Sequence, residues 1–153
     1  MINNKKIDTG TIGEYYTLCE LWRNGFNAIK SDSPLENGWD ILVLNDNSDT
    51  IKYRLQVKCL NWEVKEGTSR TVNVDIEKNF NFLVLVILNK EEDYQLFVIP
   101  KAKLRAKRQG ERNQLFGKKD NCLLCSKKNL SIETLKRQDR WEKFCKYKND
   151  WPE

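Results

Sequence analysis

Phe82-Leu-Val-Leu-Val-Ile-Leu88 is the longest apolar run in the chain, and it offers no polar residue to either face of a strand. An aliphatic run of this kind predicts a buried central strand. It is far short of the roughly 20 residues that span a bilayer. Tyr94–Ile99 follows after the polar turn Asn89–Asp93, and Pro100, which has no N–H to give a ladder, closes the sheet.

The remaining elements are predicted around that strand. Thr11-Ile-Gly-Glu14 has the spacing of a capping box, and Ile12, Tyr15, Cys19 and Trp22 recur at steps of three and four up to Asn24-Gly25. This predicts an amphipathic helix over Thr11–Asn24. Phe26–Lys30 reads as a short strand and Ser31–Gly38, with Pro34, as a loop. Trp39–Leu44 and Ile51–Leu60 read as strands joined by a polar turn over 45–50. A short helix is expected around Val74–Phe80, a basic helix over Lys101–Gln109, and a terminal helix over Ser131–Tyr147 carrying Leu135, Trp141, Phe144 and Cys145. The expected class is α/β (α+β): a central mixed sheet flanked by helices in the order αβββαβ, followed by a C-terminal basic helical extension. Residues 1–100 form the expected core, and 101–153 an extension packed on the same domain.

Composition narrows the chemistry. The 153 residues contain no histidine, which excludes Ser-His-Asp and Cys-His nucleophile chemistry, His-ligated zinc or haem, and imidazole as a general base. Carboxylates, amides and lysine remain. Five cysteines, an odd number, suit reduced thiols better than a disulfide framework. Cys122 and Cys125 have CxxC spacing, but zinc would need a fourth ligand and their two intervening leucines fit a short strand equally well. The polar Met1–Lys6 start lacks the apolar core of a signal peptide, so a cytoplasmic protein with no membrane segment is expected.

The net charge of +5 is uneven. Residues 1–100 carry 11 basic and 15 acidic side chains, whereas 101–119 carry 8 and 1. The strip Lys101, Lys103, Arg105, Lys107, Arg108, Arg112, Lys118 and Lys119 has the density of a phosphate-facing surface, or of a solvated face that keeps the protein soluble.

Strand side chains alternate, so Arg54, Gln56 and Lys58 share one face of their strand and Leu55, Val57 and Cys59 the other. A turn centred near Asn47 and Ser48 pairs residues whose numbers sum to about 95 or 96. Asp40 then lies opposite Leu55 or Gln56, and the second register puts Asp40, Gln56 and Lys58 on one face. A carboxylate, an amide oxygen and an ammonium together suit a hard divalent cation such as Mg²⁺ beside an activated water.

Glu14 on the first helix, Trp39-Asp40-Ile41 entering a strand and Leu55-Gln56-Val57-Lys58 on the next resemble the PD-(D/E)XK nuclease superfamily, in the variant with Gln in the (D/E)XK half. The resemblance covers roughly residues 8–100. Trp39 replaces the Pro of the name, and Gln56 removes one negative charge from the site. The resemblance implies a restriction-endonuclease-like core and Mg²⁺-dependent hydrolysis of DNA phosphodiesters, with Mn²⁺ able to substitute. Asp40 would bind the metal directly and Gln56 through its side-chain oxygen. Glu14 would bind the metal or its water, and Lys58 would orient and activate the attacking water. A restriction-like or homing endonuclease, a Holliday junction or branched-DNA resolvase, and a catalytically inactive nucleic-acid-binding protein are all compatible with this pattern. So is an interaction module whose basic strip meets an acidic partner. A homodimer or larger homo-oligomer is expected, because one small site cuts one strand. Trp22 and Trp141 are expected to pack in the core, and Trp62, just past the QxK strand, to touch DNA.

Overall fold

The computed structural model describes residues 8–31, 38–61, 71–88, 94–111, 116–117, 122–125, 129–132 and 140–153. A five-stranded mixed sheet in the order β1-β2-β3-β5-β6 forms its centre, so the α/β class with a mixed sheet holds. The strands are β1 (Asn27–Lys30), β2 (Ile41–Leu44), β3 (Ile51–Asn61), β5 (Phe82–Leu88) and β6 (Gln95–Pro100). β3 and β5 run parallel, and the other neighbours are antiparallel. β3 is the middle strand, and β5 is an interior strand between β3 and β6 whose residues 83–88 are all buried. No described helix is long and apolar enough to cross a membrane.

Each face of the sheet carries its own core. On one, Leu55, Val57, Val84, Val86 and Val98 pack with Leu18 and Leu21 of helix α1 (Thr9–Arg23). On the other, Leu83, Leu85, Ile87, Phe97 and Ile99 are covered by two small sheets and by Phe144. The small sheets pair β4 (Thr71–Asn73) with β9 (Asn129–Ser131) and β7 (Leu104–Ala106) with β8 (Leu123–Cys125). Phe144 lies on a one-turn helix, α2 (Trp141–Cys145), where Trp141 stacks on it and on Phe97.

Five local expectations are corrected. Helix α1 begins at Thr9 with Asp8 at its N-cap and no side-chain cap bond, so Thr11 and Glu14 form no capping box. Its buried face is Gly13, Thr17, Leu18 and Leu21, while Tyr15, Cys19 and Trp22 are exposed. Trp22 is therefore not a core residue; its indole N–H donates to Ala28 O on β1 at 3.0 Å, covering a carbonyl of the edge strand. The segment 74–80 is a turn, because Val72 and Val74 bury at a strand period and the Asp75 carboxylate accepts Glu77 N–H at 3.1 Å, competing with a helix. The Lys101–Gln109 segment is a 3₁₀ turn (Lys101–Lys103) leading into β7, where Lys103, Arg105 and Lys107 alternate with Leu104 and Ala106. In the terminal segment, β9 and α2 replace one long helix at its two ends, and Leu135 lies outside the described residues.

Gly13 sets how closely α1 approaches β3. A Cβ there would lie 2.6 Å from Cys59 Cβ and 3.0 Å from its Sγ. Helix propensity alone favours Gly13→Ala by up to about 1 kcal/mol, but overpacking costs about 1–3 kcal/mol. Gly13→Ala is expected to lower the unfolding free energy in urea titrations; a rise would mean that this contact is loose.

Candidate active site

The hairpin β2–β3 has Ile41↔Leu55, Leu42↔Arg54 and Val43↔Tyr53 as partners, and the register slips at Leu44↔Ile51. Extending the first register places Asp40 opposite Gln56, the alignment that puts both on one face. Asp40 is held by three bonds. Its N–H donates to Leu55 O (2.7 Å), its carbonyl accepts Ser31 N–H (2.9 Å), and its Oδ2 accepts Val57 N–H (2.7 Å). The carboxylate thus takes a β3 amide between Gln56 and Lys58. From Gln56 onward, β3's ladder continues only with β5 among the described strands.

Gln56 is 4% exposed, and its Oε1 is buried with no hydrogen-bond partner among the described residues. An orphaned amide oxygen costs about 1–3 kcal/mol unless something satisfies it. Gln56 and Lys58 line a cleft of about 510 Å³ whose other wall includes Asn73, Asp75, Glu77 and Lys78. That wall meets the segment leading into β2 at Gly38 (φ +71°), where a Cβ would lie 2.6 Å from Lys78 Cβ and 3.1 Å from Asn79 N.

Glu14, like Asp40, is not among the residues that line this cleft. Its Oε2 pairs with Lys30 Nζ at 2.9 Å, and that ammonium also donates to Ser31 O at 3.3 Å. Glu14 is connected to Asp40 through Lys30 and the Ser31–Asp40 bond, without lining the cleft itself. Among the described residues no three Asp, Glu, Cys or His side chains form a metal-binding group. A cation here would be held by a mixed set of carboxylate and amide oxygens. The buried Gln56 oxygen, at the strand position opposite Asp40, fits a hard, oxygen-seeking ion. Asn73, Asp75, Glu77 and Lys78 were not singled out from the sequence, because their segment read as a helix; the alternating burial of Val72 and Val74 was the available signal.

The basic strip adjoins the cleft through Ala106 of β7, one of its lining residues. Lys101 donates to Lys78 O and stands 4.7 Å from the Phe80 ring centroid. Arg105 is committed to Glu111 by two bonds, at 2.7 and 3.0 Å. Lys103 and Arg108 are exposed, and Lys107 is partly so. Arg112, Lys118, Lys119 and Trp62 lie outside the described residues. The five cysteines are free thiols, and burial pushes Cys59 and Cys125 up to about 11.

A scan against protein-family models finds no match, and no curated protein matches the chain. Among solved structures the chain is similar to a bacterial homing endonuclease, I-Ssp6803I, with 17% identity over 64% of this chain and 70% of that one and a TM-score of 0.45. It is also similar to Hjc, a Holliday junction resolvase of Archaeoglobus fulgidus, with 18% identity over 82% and 84% and a TM-score of 0.40.

The Arg105 guanidinium, helped by Arg108 N–H, lowers the Glu111 carboxyl to about 2. An unfolded Glu titrates near about 4.3, so the stability this group contributes is complete above that value and lost as pH falls through about 2. Glu111→Gln is expected to melt below wild type at pH 6, with the gap closing towards pH 2. A gap that stays constant with pH would contradict the ion pair.

Proposed function

We propose that this chain is a restriction-endonuclease-like member of the PD-(D/E)XK superfamily, in its QxK form, that hydrolyses DNA phosphodiester bonds with Mg²⁺. One observation carries the reading: Asp40 caps the Val57 amide between Gln56 and Lys58, while the buried Gln56 oxygen lacks a partner among the described residues. A site built only for stability would satisfy that oxygen.

Asp40 and Gln56 would hold the ion, and Glu14, whose Oε2 pairs with Lys30, would approach it through its other oxygen or through a metal-bound water. A bound Mg²⁺ would supply Lewis-acid polarisation of the scissile phosphate and neutralise part of its charge. The Lys58 ammonium, in the same cleft as Gln56, would orient the attacking water by hydrogen bonding and stabilise the negative charge that develops on the phosphate. The Asp40–Val57 bond fixes the relative position of carboxylate and QxK strand, so substrate binding need not order them. Lys103, Lys107 and Arg108 would meet the DNA backbone beside the cleft, and binding would weaken steeply with salt. Two copies would be needed to break both strands of a duplex, which favours a homodimer or larger assembly.

Asp40→Asn keeps an oxygen for Val57 N–H but removes the charge. It is expected to retain a near-wild-type melting temperature and DNA binding while cleavage of duplex or four-way-junction DNA falls about 10²–10³-fold, in the range for loss of one electrostatic group. Lys58→Ala is expected to cost about 10²–10⁴-fold. Wild-type protein that binds DNA yet cuts none of these substrates with Mg²⁺ or Mn²⁺ would overturn the catalytic reading. Gln56→Glu supplies a separate check. A buried carboxylate without a cation costs more than the about 1–3 kcal/mol of a neutral unsatisfied group, so this variant is expected to melt below wild type in EDTA and to gain more from added Mg²⁺. Equal gains would argue against an ion at Gln56.

A further inference from the structure

We propose that Asp75, which lines the same cleft as Gln56, is a second carboxylate ligand of the divalent cation and supplies the charge that Gln56 lacks. This rests on reading the cleft as a cation site and extends it to a residue outside the Glu14, Asp40, Gln56 and Lys58 pattern.

Charge balance calls for another acid. Gln56 is neutral, Glu14 is paired with Lys30 at 2.9 Å, and Lys58 brings a positive charge to the cleft. Asp40 is the carboxylate seen bonded to the amide between Gln56 and Lys58. Sites for Mg²⁺ and Mn²⁺ use oxygen donors and commonly one or two carboxylates. The second independent feature is Gln56 itself, 96% buried, given its 4% exposure, with its Oε1 unpartnered among the described residues.

The cleft lining includes two acids, Asp75 and Glu77. Asp75 is the better fixed. Its Oδ1 accepts Glu77 N–H at 3.1 Å and its carbonyl accepts Lys78 N–H at 3.2 Å, so the carboxylate is orientated by its own turn. A carboxylate that accepts one hydrogen bond keeps lone pairs for an ion. The turn is also clamped to the strands that carry Asp40 and Gln56. Lys78 and Asn79 pack on Gly38. Just beyond the turn, Asn81 N–H donates to Arg54 O and Asn81 Oδ1 accepts Arg54 N–H, both at 2.7 Å. The turn that carries Asp75 is therefore tied to β3 through Asn81 and to Gly38 through Lys78 and Asn79, with little ordering entropy left to lose when an ion binds.

Mn²⁺ binding, followed by calorimetry and by electron paramagnetic resonance of the free ion, tests this without relying on cleavage. Asp75→Asn retains an oxygen for Glu77 N–H and is expected to weaken Mn²⁺ binding about 10-fold or more, with the metal-free melting temperature unchanged. Asp49→Asn, in the exposed β2–β3 turn, is the control and is expected to bind as wild type. If Asp75→Asn unfolds early, Asp75→Ser, which can also cap the turn, takes its place. Asp75→Asn binding like wild type, while Asp40→Asn is weakened, would overturn the role of Asp75 and leave the nuclease reading standing. Wild type that binds no Mn²⁺ would overturn both.

Discussion

The pairing of β2 with β3 decides what every side chain of the QxK strand can do. With Ile41 opposite Leu55, the residues Leu55, Val57 and Cys59 go under α1, and Gln56 and Lys58 go to the cleft side. A slip of one residue would exchange the two sets. Gln56 and Lys58 would then face Leu18 and Leu21, and burying such groups without partners costs several kcal/mol each. Two local features hold the register against that slip. Gly13 lets the helix sit on Cys59 so closely that a Cβ would collide. Asp40 extends the hairpin beyond its last backbone pair by giving Val57 N–H a carboxylate in place of a carbonyl. The same contact that ends the ladder also places the carboxylate between Gln56 and Lys58, so folding and site assembly are one event here.

Much of this was legible in residue patterns. The aliphatic run at Phe82–Leu88 marked a buried interior strand, and the hairpin arithmetic around Asn47 allowed two registers, of which the pairing follows the one with Asp40 opposite Gln56. The pattern failed where a period of two resembled another signal. Lys103, Arg105 and Lys107 alternate, as strand residues do, yet their charge suggested a helix. Val72 and Val74 alternate too, and that strand and turn bring Asp75 to the cleft. On α1, periodicity found the helix and chose the wrong face. Tyr15 and Trp22 are larger than Gly13 and Thr17, but small residues were needed where the helix meets β3. The Thr11–Glu14 spacing misled for a related reason: the helix starts two residues earlier, and Glu14 is drawn to Lys30 on β1.

Electrostatics divide the molecule by function. Arg105 and Glu111 neutralise one another within the basic strip, which makes Arg105 a fixture of β7, whereas Lys103 and Arg108 stay exposed. The cleft is balanced in charge, with Asp75 and Glu77 lining it beside Lys58 and Lys78. Such a layout suits a polyanion that needs both a cationic track and a cation-bearing cleft.

The central claim is that an ion binds at Asp40 and Gln56. Nuclear magnetic resonance of ¹⁵N-labelled protein during a substoichiometric Mn²⁺ titration tests it most directly, because paramagnetic broadening reports distance to the ion. The expected result is early loss of the Gln56 side-chain amide and the Val57 backbone amide, with the signals of Glu20 and Glu142 intact. Broadening spread evenly over exposed acids, with Gln56 and Val57 spared, would contradict the claim.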